Sequence, residues 1–286
     1  MPLALVLSSY VVANRIGGSL QQYVLAPFGI DPVLVPTVMF GASPVKGGRG
    51  QATDVELFQM LLEGVRGQEL HGLVDLVITG HFSLPEQVEL ACEAIDQIRA
   101  ASRTGAFNPR PIVLVDPILG DHPKGLYVKP EVARLVTERL TPLADWLTPN
   151  LFELSHLTGR TIADAADVAD AVKALGKPAL VTSAPVGEGR AGALLCTPTE
   201  SLLLSHPRLD QAPNGTGDLV TAVFGAGLVE GLEAPLAAER ALRAVAEALE
   251  AARAWNAPDL PVVALGERLV RPTASVRIER LAGGGS

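Results

Sequence analysis

Short, nearly continuous apolar blocks alternate along this chain with longer segments that are apolar on one face only. Leu3–Leu7, Val33–Val38 (interrupted by Pro36), Leu73–Thr79, Pro111–Val115, Ala179–Thr182 and Ala191–Cys196 are blocks of the first kind, and Trp146–Thr148 is a weaker one. A run apolar on both faces suits a strand of a parallel sheet covered by helices. Between the blocks, Asp54–Arg66 places Val55, Phe58, Leu61, Leu62 and Val65 on one helical face. Leu84–Arg103 follows Ser83, with Pro85 and Glu86 in the first turn, which predicts a serine-capped helix. Glu131–Arg139, Asp164–Leu175 and the Ala-, Leu-, Glu- and Arg-rich Ala234–Trp255 complete the helical set. Strands alternating with helices predict an α/β fold with a central, mostly parallel sheet flanked by helices on both faces. No linker or repeat divides the chain, so residues 1–282 read as one domain and 283–286 as a flexible Gly/Ser tail. Ligands in such sheets bind outside the carboxyl ends of the strands, so polar residues just after a strand carry the functional weight.

Composition narrows the classes. The 286 residues are 48% apolar with mean hydropathy +0.29, which excludes a disordered chain. A net charge of −8, with no basic run, excludes a nucleic-acid binder. The clearest apolar run, Leu219–Val229, is broken by Thr221, Gly225 and Gly227 and falls short of the ~18 residues of a membrane span. The apolar N-terminus lacks a basic stretch before it, so it reads as a first strand and the expected compartment is the cytoplasm. Cys92 and Cys196, too few and too separated for a disulfide scaffold, read as buried reduced thiols.

Three constellations carry chemistry. Asn214-Gly215-Thr216-Gly217-Asp218 opens an apolar helical stretch. Successive backbone N–H groups at such a start, with the helix dipole, form an anion site, and Asp218 beside it suits a base. The same residues also suit a glycine turn with Asp218 as a helix cap. Asp116-Pro117-Ile118-Leu119-Gly120-Asp121 follows a strand. An acid there suits Mg²⁺ or a water bound to it, because Mg²⁺ takes few protein carboxylates; an Asp-Pro turn is the plainer reading. The stretch Asp121–Tyr127 could fold over the site as a lid. Finally, Asn150 and Glu153 stand three apart at a helix start after Thr148, as a capping box, as a carboxylate aimed at the same region, or as both.

These motifs, in this order and at these separations, resemble the pyridoxal kinase group of the ribokinase-like superfamily. The resemblance rests on DPILGD, LTPNLFELSHLTG and NGTGDLVTAVF, and it extends from about Leu3 to Ala252. Ser9-Tyr10-Val11-Val12 and Pro36-Thr37-Val38-Met39-Phe40 are similar to the family's Ser-His-Val-Val and Asn-Thr-Val-Gln-Phe. The resemblance implies a ribokinase-like fold and MgATP-dependent phosphorylation of the 5′-hydroxyl of pyridoxal, with pyridoxine and pyridoxamine as further substrates. It implies Asp218 as base and Gly215, Thr216 and Gly217 as the anion hole. It implies Asp116 and Glu153 as the pair holding Mg²⁺ through water. Thr148, Asn150, Thr182 and Asn214 fall on the ATP side, and Ser9, Thr37 and His81 on the pyridoxal side, His81 as a lining residue. A K⁺ ion and a homodimer are further expectations of the family, with no nucleic acid or membrane as partner. His71, His122, His156 and His206 show no metal spacing and read as surface or loop residues.

The chain departs from the family at substrate and nucleotide contacts. Tyr10 replaces a histidine, Gly17-Gly18 a Gly-Asn, and Gly41–Gly48 a polar flap; Thr182-Ser183 stands where a lysine is common. Lys46, in the flap, is a candidate to supply the missing charge. Hydroxymethylpyrimidine kinases of thiamin metabolism are the nearest alternative, but their motif usually ends Gly-Thr-Gly-Cys where this chain has Asp218. Sugar and nucleoside kinases usually run longer. A catalytically weak binder of B6 vitamers is the alternative from another class.

Overall fold

Alternate residues of the first strand point into two different cores, and this organises the whole molecule. In the computed structural model, which describes residues 1–209 and 212–281, Leu3, Leu5 and Leu7 pack into one hydrophobic cluster and Ala4 and Val6 into the other. The same division holds for Val113 and Val115 against Leu114, and for Ala179 and Val181 against Leu180. A sheet buried on both faces needs apolar residues at every position, which explains the continuous runs.

The strands are β1 (Leu3–Val11), β2 (Asp31–Phe40), β3 (Gly50–Ala52), β4 (Val74–Thr79), β5 (Ile112–Val115), β6 (Gly120–Asp121), β7 (Gly125–Leu126), β8 (Trp146–Leu147), β9 (Ala179–Thr182), β10 (Arg190–Cys196), β11 (Ser201–Pro207) and β12 (Arg277–Arg280). Ten form one sheet in the order β12-β11-β10-β9-β8-β5-β4-β1-β2-β3. The centre, from β9 to β2, is parallel; β3 on one edge and β10, β11 and β12 on the other run antiparallel. β6 and β7 form a separate hairpin.

Helices α1 (Gly18–Leu25), α2 (Val55–Gly67), α3 (Pro85–Ala100), α4 (Pro130–Leu135), α5 (Leu151–Thr158), α6 (Ala165–Leu175), α7 (Thr216–Val229), α8 (Ala234–Ala254) and α9 (Val262–Leu265) cover the sheet. α2 to α6 line one core, and α1, α7, α8 and α9 the other. No helix of the described residues is long and apolar enough to cross a membrane.

Four expectations are corrected. Ser83 does not cap α3: Gln87 Oε1 accepts from the N–H groups of Ser83 and Leu84 instead, at 3.0 and 3.2 Å, and Ser83 Oγ pairs with the His81 ring. The helix expected over Glu131–Arg139 is α-helical only to Leu135 and continues as a π-helical turn to Leu140. His71 and His206 are buried, at 7% and 4% exposure, because the short turn before β4 and the unforeseen strand β11 fold them inward. α1, β11 and β12 carry no signal that the apolar pattern identified. Cys92 and Cys196 are free and buried, and burial pushes both thiols up to about 11. The tail expected at 283–286 lies outside the described residues.

Candidate active site

The parallel register aligns the expected site residues. Leu7 lies opposite Thr79, Thr79 opposite Val115, Val115 opposite Leu147, and Leu147 opposite Ala179. The residues just beyond this line are Ser8 and Ser9, Gly80 and His81, Asp116, and Thr148. Ser8 pairs with Pro36, which sets Thr37 beside Ser9, and an isolated bridge joins Asn150 to Thr182. Six strands thus deliver their chemistry to one carboxyl edge.

Asp218 sits at the third residue of α7 and does not cap its own helix. Gly215 occupies the cap position with φ +97°, where a Cβ would come within 2.9 Å of the Arg15 carbonyl oxygen. Asp218 Oδ2 accepts from the Gly17 N–H at 2.8 Å. Gly17 has φ +60°, and a Cβ there would lie 2.2 Å from Ser9 Oγ, so glycine is needed for the β1–α1 turn to bring this N–H forward. Asp218 Oδ1 is buried with no hydrogen-bond partner. Burial raises the Asp218 carboxyl to about 6, against the opposing effect of the Gly17 N–H.

The acidic pair stands next to it. Asp116 is 6% exposed and Glu153 3%. Asp116 Oδ2 accepts from Thr221 Oγ1 at 2.9 Å. Both alternatives for Asn150 and Glu153 hold together. Asn150 Oδ1 accepts from the Glu153 N–H at 2.9 Å, and Glu153 Oε2 from the Asn150 N–H at 2.8 Å, while Glu153 Oε1 reaches across to the Leu119 N–H at 2.9 Å. The capping box therefore holds a buried carboxylate against the loop after Asp116. Burial, then the neighbouring charges of Glu153 and Asp218, raise Asp116 well above the usual carboxylate range. Burial raises Glu153 to about 7, moderated by the Asn150, Leu119 and Gly120 N–H groups. Ile118 (φ +40°) and Ser183 (φ +56°) hold strained left-handed backbone at this edge.

A cavity of about 740 Å³ opens over these groups. Asp116, Thr148, Asn150, Glu153, Thr182, Gly215, Thr216, Gly217 and Asp218 all line it. So do Ser183, named with Thr182 as a departure from the family, and Arg190, His206 and Arg208, which the sequence did not place in the site, with an apolar wall that includes Val220, Leu242, Val245 and Leu249. Arg190 pairs with Pro207 across the β10–β11 hairpin, so its place was invisible without β11. The stretch expected to act as a lid forms the β6–β7 hairpin, and Gly120, Asp121 and Tyr127 border the cavity. Burial, then the Asp121 charge, raises the Tyr127 hydroxyl to about 12.

The remaining expected residues lie outside that lining. Asn214 is exposed and does not border the cavity. Ser9 is buried behind Gly17. Thr37 is wholly buried, and its hydroxyl donates to the His81 carbonyl oxygen. His81 packs edge-on to Phe40 with ring centroids 6.5 Å apart, and burial lowers it to about 4, so the ring is neutral at pH 7. Lys46 does not reach the site: its Nζ lies 3.5 Å from Asp259 Oδ1.

The donor set bears on the expected metal. Among the described residues no group of three or more His, Cys, Asp or Glu side chains forms a metal cage. Burial raises both carboxylates, the charges of Glu153 and Asp218 raise Asp116 further, and neither acid is paired with a cation among the described residues. This fits a divalent ion held mainly by water and phosphate, with one or two carboxylates behind.

A family profile described as phosphomethylpyrimidine kinase matches residues 91–262. A pyridoxine/pyridoxal/pyridoxamine kinase of Bordetella avium is 31% identical over 88% of this chain and 86% of its own length. The chain belongs to the pyridoxal kinase family. A pyridoxal kinase of Rubrobacter xylanophilus is 31% identical over 96% of both chains. The pyridoxal kinase of Leishmania donovani, solved with ADP and pyridoxamine, superposes with a TM-score of 0.88 at 24% identity, covering 99% of this chain and 100% of that one. The ribokinase-like fold expected from the motifs is the fold observed.

Proposed function

We propose that this chain is an ATP-dependent kinase of vitamin B6 salvage that phosphorylates the 5′-hydroxyl of pyridoxal, and of pyridoxine and pyridoxamine. One observation carries the reading: Asp218 holds a buried oxygen without a partner, its other oxygen is fixed by Gly17, and it stands at the mouth of a glycine-rich helix start. Asp218 Oδ1 accepts the hydroxyl proton as that oxygen attacks the γ-phosphorus. The new O–P bond forms, the bond to the β-phosphate bridging oxygen breaks, and ADP leaves with that electron pair. The N–H groups at Gly215, Thr216 and Gly217 face the charge spread over the transferring group, with the α7 dipole behind them. Thr148, Asn150 and Thr182 line the nucleotide side, and Ser9, Thr37 and His81 flank the vitamer. Asn214 stays on the ATP side only by the family resemblance, since it is exposed and does not border the cavity.

Asp116 and Glu153 would hold Mg²⁺ through its waters, and the ion would neutralise phosphate charge. Potassium is the monovalent ion to try with it. The acid at 218, where pyrimidine kinases usually carry cysteine, favours the B6 vitamers. A cytoplasmic homodimer acting on small molecules, without nucleic acid or membrane, completes the reading. Steady-state ADP release with pyridoxal, pyridoxine, pyridoxamine and hydroxymethylpyrimidine tests it. Turnover highest with a B6 vitamer is expected. A preference for the pyrimidine, or tight vitamer binding without turnover, overturns it.

A further inference from the structure

Thr221 belongs to none of the roles assigned so far, yet its hydroxyl does something unusual for a helical threonine. Threonines inside helices commonly return their hydroxyl to the carbonyl four residues back. Thr137 and Thr158 do so here, donating to Ala133 and Leu154 at 2.8 and 2.7 Å. Thr221, wholly buried inside α7, instead donates out of its helix to Asp116 Oδ2 at 2.9 Å, across 105 residues of sequence. Its oxygen also lies 2.9 Å from Thr148 Oγ1. Asp218 and Thr221 are three apart, so one face of α7 serves both the proposed base and the acidic pair.

The proton count fixes the direction of this relay. Beside a bound divalent ion Asp116 is ionised and only accepts, and a threonine has one proton to give. Thr221 gives its proton to Asp116, so Thr148 must give its own to Thr221. Thr148 then meets the cavity with lone pairs alone. It can accept there from a water bound to a cation, and it cannot donate to a phosphate oxygen. With Oδ2 held, Asp116 is left its Oδ1 for the same purpose.

We infer that Thr221 is a positioning residue that, through Asp116 and Thr148, presets two acceptors toward the waters of a phosphate-bound divalent ion. This rests on the kinase reading above and adds to it a residue and a direction of hydrogen bonding. The feature is separable from nucleotide recognition as such, because Thr221 does not border the cavity.

The test is calorimetric binding to the full chain, without turnover. The probes are ADP with Mg²⁺, ADP with a chelator, and pyridoxal; the variants are Thr221→Val and Thr221→Ser. Loss of a hydrogen bond to a charged group predicts that Thr221→Val binds Mg·ADP about tenfold more weakly. Metal-free ADP and pyridoxal should bind it as they bind the wild type. Thr221→Ser keeps the hydroxyl and should recover most of the Mg·ADP affinity. Unchanged Mg·ADP binding in Thr221→Val, or an equal loss for metal-free ADP, overturns the inference. Should the valine variant fail to fold, a serine variant with wild-type folding but the tenfold loss overturns it too. Wild-type protein that binds no nucleotide overturns the kinase reading itself, which separates the two failures.

Discussion

The two halves of the carboxyl edge are built on opposite electrostatic terms. On the side proposed for the nucleotide, Asp116 and Glu153 are buried together, both raised, and no cation is paired with either among the described residues. On the side proposed for the vitamer the groups are neutral and, around Thr37 and His81, already hydrogen-bonded, although the buried Ser8 and Thr79 hydroxyls have no partner. Thr37 donates to the His81 carbonyl, the His81 ring pairs with Ser83, and Gln87 Nε2 donates to the Thr37 and Thr53 carbonyls at 2.8 and 2.7 Å. One half is built of buried acids with no paired cation, as the proposed cation and phosphate site requires. The other is a rigid polar wall that a ring can lie against. Asp218 stands between them, tied to the vitamer side by Gly17 and to the acidic side by charge. On the proposed reading, backbone strain and buried acids concentrate on the side of the charged ligand, and preformed hydrogen bonds on the side of the neutral one.

The comparison breaks most visibly at Asp218. Asp218→Asn keeps the side-chain shape and an oxygen for the Gly17 N–H, but it has no basic oxygen to take the proton. Turnover should fall by about 10²–10⁴-fold while thermal melting and Mg·ADP binding stay close to wild type. In the wild type, kcat/KM should rise with pH through a limb near 6, the value to which Asp218 is raised. Near-normal turnover in the asparagine variant, or a flat profile across that range, removes Asp218 from the base role.

The acidic half offers a second, smaller break. Asp116, Glu153 and Asp218 all bind protons more tightly in the folded chain than in the unfolded one. The folded state therefore holds more protons between the ordinary carboxylate range and about 7, and this contribution to stability falls as pH rises through that window. A divalent ion binds the ionised forms and offsets the loss. The melting temperature gained on adding Mg²⁺ should be larger at pH 8 than at pH 5.5. An equal gain at both values would sever the link between these carboxylates and the metal.

The same contrast explains what the sequence made legible. Asp116, Thr148, Glu153 and Asp218 follow strand or helix starts in short motifs, so local pattern located them. β1, β4 and β5 were read because both faces are apolar. α1 and the edge strand β12 escaped because β12 is mostly polar and exposed and α1 is short, so neither shows a strong period, and β11 beside it, whose apolar run is only Leu202–Leu204, escaped as well. With β11 unseen, Arg190, His206 and Arg208 had no place in the site. Thr221 was visible only as a break in an apolar run, since its partner lies 105 residues away. The capping box at Asn150 was legible from the local spacing, whereas the reach of Glu153 to Leu119 depended on the tertiary approach of the loop after Asp116.

The smallest expected effect lies on the vitamer side and sharpens the contrast. Thr37→Val removes a hydroxyl whose proton is already committed to the His81 carbonyl, without removing volume. If the wall acts as preformed structure, the cost is the orphaned carbonyl: about 1–3 kcal/mol of folding stability, read by urea denaturation. The His81 backbone then loses its anchor, and the KM for pyridoxal should rise severalfold while kcat holds, because the base and the phosphate side are untouched. Mg·ADP binding should stay at the wild-type value, opposite to the result expected for Thr221→Val. A fall in kcat with KM unchanged would mean that Thr37 acts on the transferring group, and the division of the edge into a charged half and a satisfied half would not stand.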